Sequence, residues 1–120
     1  MKKKILVADD NPAILDALQI MLEEEGYEVE TTIDGATALD MKGRLPDLIL
    51  LDIWMSGIDG RDICKQFKKD SSTNHIPIVL ISATKDIAQI AKDSGADDFI
   101  SKPFQMDNLL EIVAKHINNH

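Results

Sequence analysis

The sequence predicts an α/β domain in which a doubly wound, five-stranded parallel sheet is covered by helices on both faces, three layers in all. Three observations lead there. Short apolar runs alternate with segments whose apolar residues recur at helical spacing, five times over. Two of the runs, Leu48–Leu51 and Ile76–Ile81, are apolar throughout, as strands buried on both faces must be. The chain has 120 residues, 44% of them hydrophobic, which suits one compact core and not two.

The elements follow in order. Ile5–Ala8 reads as the first strand. Asn11-Pro12 then supplies a helix cap and a proline in the first turn, where a missing N–H costs nothing. Ile14, Leu15, Leu18, Met21 and Leu22 trace the apolar face of that helix, and Gly26 ends it. Tyr27–Thr32 is a more polar strand, suited to an edge. Asp34-Gly35 opens a short second helix through Ala38, Leu39 and Met41. After Pro46 comes the central strand Leu48–Leu51, then a loop from Ile53 to Asp59 and a third helix carrying Ile63, Cys64 and Phe67. A polar loop over Ser71–His75 precedes the strand Ile76–Ile81, whose early proline is tolerated at a strand start. Ile87, Ile90 and Ala91 mark a weakly apolar fourth helix ending near Gly95. Phe99-Ile100 is a short fifth strand, and Leu109, Leu110, Val113 and Ile117 face the core from a last helix. Residues 1–120 therefore read as a single domain, with no output domain expected in this chain.

Composition excludes several classes. Lys and Arg number 13 against 21 Asp and Glu, a formal charge of -8, so the basic face of a nucleic-acid binder is missing. Lys2-Lys3-Lys4 is the one dense basic patch and reads as a solvated strand start. A lone cysteine, Cys64, permits neither an internal disulfide nor a thiolate cluster, and in its apolar-periodic setting reads as a small buried hydrophobe. That usage fits a reducing compartment. No apolar run has the length of a signal region or a membrane span, so the expected location is cytoplasmic, with no membrane partner. His75, His116 and His120 lie in different or terminal contexts and read as solvated rather than metal-binding.

The chemistry lies just past the strands, because an open parallel sheet binds ligands beyond its carboxyl edge. Asp9 and Asp10 follow the first strand, Asp52 the third, Ser82 the fourth and Lys102 the fifth. Taken singly, Asp9 reads as a turn acid, Ser82 as a cap hydroxyl and Lys102 as a surface lysine. Asp52 stands apart, since its carboxylate starts at the mouth of the core. Together they describe more. Three converging carboxylates raise one another's pKa unless a cation joins them. An all-oxygen, highly charged ligand set suits Mg²⁺, which favours one or two carboxylates plus phosphate. A lysine and a hydroxyl add donors for an oxyanion. A metal site, a carboxylate nucleophile, a lysine and a hydroxyl suit phosphoryl transfer through an aspartyl phosphate.

At this point the sequence resembles the receiver domains of two-component response regulators, over nearly its whole length, Lys4 to Ile117. The landmarks are Asp9-Asp10, Pro46-Asp47-Leu48, Asp52, Gly57-Ile58-Asp59-Gly60, Ser82-Ala83 and Lys102-Pro103-Phe104. The resemblance implies a flavodoxin-like topology with strand order 2-1-3-4-5. It implies Asp52 as phosphoacceptor, taking a phosphoryl group from a sensor histidine kinase or a histidine phosphotransfer protein. It implies Mg²⁺ held by Asp10, Asp52 and the Trp54 carbonyl, with Asp9 acting mainly through a bound water. Lys102 would pair with the phosphate, Ser82 would swing in to bond it, and Phe99 would follow as the switch aromatic. The Lys102-Pro103 bond would be cis. A changed surface of the fourth helix, fifth strand and fifth helix would meet a downstream effector or a second, phosphorylated copy of the chain. Two departures from the family pattern stand out. Ser56 occupies a position usually held by proline, and Trp54 places a large ring beside the site, where it would shield the phosphate from water.

Rival readings meet specific residues. A Mg²⁺ phosphatase with a strand-end aspartate nucleophile needs a second acid two residues on, and Trp54 stands there. A flavin binder of the same topology needs a phosphate loop rich in backbone donors after the first strand, and Asp9-Asp10-Asn11-Pro12 would repel phosphate. A receiver fold serving only as an interaction module would not require the complete set of Asp9, Asp10, Asp52, Ser82 and Lys102.

Overall fold

The computed structural model describes residues 2–39, 45–55 and 58–118, with Ala36 and Leu39 described by backbone alone. Strands β1 (Lys4–Ala8), β2 (Glu28–Thr32), β3 (Leu48–Asp52), β4 (Ile78–Ser82) and β5 (Asp98–Ser101) alternate with helices α1 (Pro12–Glu24), α2 (Gly35–Leu39), α3 (Gly60–Lys69), α4 (Ile87–Ser94) and α5 (Met106–Ile117). All four pairings are parallel and the sheet order is β2-β1-β3-β4-β5. The five expected strands and the order implied by the resemblance are thus observed. Met41, Ser56, Gly57 and His120 lie outside the described residues.

Strand periodicity sorts the core into two halves. Leu6, Ala8, Ile49, Leu51, Ile78 and Leu80 point to one face, against Ala38, Ile63, Cys64, Phe67, Ile87 and Ala91 of α2, α3 and α4. Ile5, Val7, Leu48, Leu50, Val79, Ile81 and Ile100 point to the other, against Leu15, Leu18, Leu22, Leu109, Val113 and Ile117 of α1 and α5. β1, β3 and β4 are buried along their whole length, which is why they read as unbroken apolar runs. β2 alternates exposure, as its edge position allows.

Local chemistry sets the boundaries. The Asn11 side chain accepts from Ala13 N and Ile14 N and caps α1. Gly26 and Gly95 adopt positive φ after α1 and α4, the left-handed turn that glycine enters without penalty. β2 begins one residue later than its apolar pattern suggests, because Tyr27 N still bonds Leu22 O and closes the end of α1. β4 begins at Ile78 rather than Ile76. Pro77 has no N–H to donate to the ladder and contributes only its carbonyl, to Ile49 N at 3.0 Å.

Two expectations change in detail. Lys2 and Lys3 are exposed, but Lys4 is a buried member of β1 that reaches Glu30 at 3.0 Å. His75 is exposed as expected, whereas His116 is half-buried with Nε2 2.8 Å from Asp98 Oδ2. α5 continues to Ile117, so His116 is held on a formed helix against β5 instead of lying in a solvated end. Cys64 is the buried hydrophobe foreseen; its Sγ lies 3.3 Å from Ser94 O and burial pushes the thiol up to about 11.

Candidate functional site

Four strands deliver the site. β1 ends at Ala8, so the next two residues, Asp9 and Asp10, stand beyond its carboxyl end. Asp52 closes β3 and Ser82 closes β4, while Lys102 follows β5. Register keeps these tips level: Ala8 pairs with Leu51, Asp52 with Ile81, and Ser82 with Ser101.

A tight approach holds the floor of the site. Gly60, the first residue of α3, donates its N–H to Ile53 O at 2.8 Å. A Cβ at Gly60 would overlap the Asp52 carbonyl oxygen and come within 2.8 Å of Ile53 Cα. Glycine is what lets α3 start directly against the end of β3.

The carboxylates meet. One oxygen from each of Asp9, Asp10 and Asp52 lies within 4.8 Å of the others. Asp9 is 1% and Asp52 4% exposed, whereas Asp10 faces solvent. Asp9 is already engaged: Oδ1 accepts from Asn11 N at 2.9 Å and Oδ2 from Lys102 Nζ at 3.0 Å. The same ammonium lies 3.7 Å from Asp52 Oδ1. Burial raises the Asp52 carboxyl from 3.8 to about 6, Asp9 and Asp10 add to this, and Lys102 and the Trp54 backbone N–H oppose it. Two negative carboxylates beside a third, balanced by a single lysine, favour a further positive charge, and hard oxygen donors with no nitrogen or sulfur match Mg²⁺. The residues present therefore fit that ion.

Ser82 is buried at the rim. Its Oγ donates to Thr84 Oγ1 at 2.9 Å and accepts from Thr84 N at 3.1 Å. Trp54 is 53% exposed, and its indole N–H donates to the same Thr84 oxygen at 2.9 Å. Phe99 is half-buried on β5, packed on the core side covered by α3 and α4. The Lys102-Pro103 bond is cis. The sequence reading did not single out Thr84 or Arg61. A hydroxyl two residues after Ser82, and an arginine two residues after the capping Asp59, were the available signals.

An acidic cluster with a lysine and a hydroxyl thus stands at the carboxyl edge of a 2-1-3-4-5 sheet. Residues 5–114 match the response regulator receiver domain, and the chain belongs to that family. It is 47% identical over 106 residues to the response regulator PleD of Caulobacter vibrioides (strain NA1000 / CB15N), covering 86% of this chain and 23% of that protein. The chain thus spans about a quarter of that relative's length. Among solved structures, it resembles the response regulator protein TrrA from Thermotoga maritima in complex with Mg²⁺-BeF, at 36% identity and TM-score 0.84, with 94% of this chain and 97% of that one covered. It also resembles the receiver domain of the sensor histidine kinase PA1611 from Pseudomonas aeruginosa PAO1, which has a magnesium ion coordinated in its active site cleft, at 25% identity and TM-score 0.88 over 98% of this chain and 99% of that one. Among the described residues, no helix is long and apolar enough to cross a membrane.

Proposed function

We propose that this chain is one receiver domain that accepts a phosphoryl group on Asp52 from the phosphohistidine of a histidine kinase or phosphotransfer protein, and passes the change to a partner surface. The observation that carries the reading is the meeting of Asp9, Asp10 and Asp52 around one lysine, whose Nζ stands 3.0 Å from Asp9 and 3.7 Å from Asp52.

The carboxylates of Asp9, Asp10 and Asp52 and the carbonyl of Trp54 would hold Mg²⁺, which when bound offsets negative charge on the transferring group. Asp52 is the nucleophile. One of its carboxylate oxygens forms the new bond to phosphorus as the phosphorus–nitrogen bond of the donor breaks, and the imidazole leaves with that electron pair. Lys102 can follow the incoming charge, since its ammonium already lies between Asp9 and Asp52. The Ser82 hydroxyl donates to a phosphoryl oxygen after transfer. The domain assists its own phosphorylation and dephosphorylation and turns over no other substrate.

The phosphoryl group adds about -1.5 to -2 charge units and three acceptors. Shifting a two-state switch from 1:99 to 99:1 takes about 5.5 kcal/mol. Bonds from Lys102 and Ser82, at about 1.5–3 kcal/mol each, are of that order. The readout passes through Phe99 to the α4–β5–α5 face, where His116 of α5 already meets Asp98 of β5. An effector, or a second copy of the chain, docks there.

The test is intact mass after incubation with a small phosphodonor and Mg²⁺. The wild-type chain gains one phosphoryl group and Asp52→Asn does not. Equal gain by both would remove Asp52 from the mechanism.

A further inference from the structure

A run of polar contacts leads from α3 to Ser82. Asp59 caps α3 by accepting from Arg61 N at 2.8 Å, and it grips the same arginine's side chain through Nε at 3.1 Å and Nη2 at 2.6 Å. The Arg61 guanidinium carbon lies 5.0 Å from the Trp54 ring centroid. The Trp54 indole N–H ends on Thr84 Oγ1 at 2.9 Å, and the Ser82 hydroxyl ends on that oxygen too, also at 2.9 Å.

Donor chemistry gives this run a direction. An indole N–H donates and cannot accept, and a serine hydroxyl has one proton to give. While that proton points at Thr84 it cannot point at a phosphoryl oxygen. The Thr84 oxygen and the phosphoryl group compete for one hydrogen. Thr84 keeps its place because the indole is bonded to it, and the indole keeps its place because its face is covered by an arginine locked to Asp59.

The geometry points to Thr84 as a positioning residue of the switch: it holds the Ser82 proton away from the phosphoryl site, and Trp54, pinned by Arg61 and Asp59, anchors it there. This rests on the reading of Asp52 as phosphoacceptor. Ser82 also accepts from Thr84 N at 3.1 Å, so a Ser82 loop that moves inward carries Thr84 with it. The indole then loses its acceptor. Trp54 is the chain's single tryptophan, so its emission reports that loss without any label.

The probe is beryllofluoride with Mg²⁺, a stand-in for the phosphoryl group. In the wild type, saturation shifts Trp54 emission. In Thr84→Val the shift is lost and beryllofluoride binds roughly two- to tenfold tighter, the gain of one hydrogen bond no longer spent at rest. Thr84→Ser restores both wild-type values. Trp54→Phe keeps a ring over Arg61 but removes the N–H, and calorimetry then shows tightening in the same direction, a readout that does not depend on Thr84→Val folding well. Unchanged or weaker binding in Thr84→Val or Trp54→Phe, or a full emission shift in Thr84→Val, would overturn the inference. In those cases phosphoryl mass gain at Asp52 still stands. A wild-type chain that takes neither beryllofluoride nor phosphoryl mass overturns the phosphoacceptor reading, and this inference with it.

Discussion

The two edges of the sheet treat charge in opposite ways. At the amino edge, acids are matched to the groups around them. Asp97 Oδ2 accepts from Ile78 N and from Lys68 Nζ, both at 2.8 Å, and Lys68 Nζ lies 3.0 Å from Ile76 O. Asp47 Oδ2 accepts from Lys4 N at 2.8 Å. Each acid there ties the start of a strand to its neighbour. At the carboxyl edge, Asp9, Asp10 and Asp52 crowd together with Lys102 between two of them, and Asp52 is pushed up to about 6. The same residue types serve cohesion at one edge and leave an excess of negative charge at the other. That excess of negative oxygen suits a divalent cation.

The comparison can be broken most severely at Gly60. Gly60→Ala drives a methyl into the end of β3, and overpacking against rigid backbone is expected to cost about 3 kcal/mol or more, read as a lower urea midpoint. A cost below about 1 kcal/mol would show that α3 can slide away from Asp52. Next in size is Asp97→Ala, which leaves the Ile78 N–H and Lys68 without their shared acceptor. A loss of about 2–3 kcal/mol in the same melt is expected, with Mg²⁺ affinity unchanged. A large fall in Mg²⁺ affinity would contradict the separation of the two edges.

Asp52→Asn should act in the opposite sense, stabilising the metal-free chain. The folded carboxyl binds its proton more tightly than the unfolded one, so between about 4 and 6 the folded state holds more protons. Stability from this group is therefore present at low pH and is lost as pH rises through that window. The ceiling is about 3 kcal/mol, a figure in which the attraction of Lys102 is already included. Thermal melts in a chelator should show Asp52→Asn above wild type at pH 7.5 and level with it near pH 4; a constant gap would point to a cause other than titration. The smallest effect is expected from Trp54→Ala. Loss of the ring opens the site to water and shortens the phosphoryl half-life a few-fold, under about 1 kcal/mol of barrier. Equal half-lives would mean that the half-exposed indole shields nothing.

The sequence carried the strands and the strand-tip residues because both are local signals. An unbroken apolar run needs no partner to be recognised, and an acid at its end is placed by topology alone. What it did not carry depends on register between distant segments. Asp97 reads as an ordinary acid until β4 and β5 are side by side and its carboxylate meets Ile78 N. His116 reads as terminal until α5 lies on β5. Thr84 reads as a loop hydroxyl until the turn after β4 meets the loop after β3, thirty residues away, and an indole reaches across. The resemblance supplied the roles of Ser82 and Lys102, but Trp54 departs from the family pattern, and its partners had to be seen.

Among the described residues, β2 has one neighbour and leaves its other side open. An open strand invites a second molecule to add to it, and proteins discourage this with charge. Here Glu28 and Glu30 stand exposed on that border, and the opposite border is only four residues long, with Asp98 at its start. Two such molecules approaching border to border bring carboxylates face to face over a short ladder. The arrangement disfavours chain-to-chain sheet growth even where the protein is abundant.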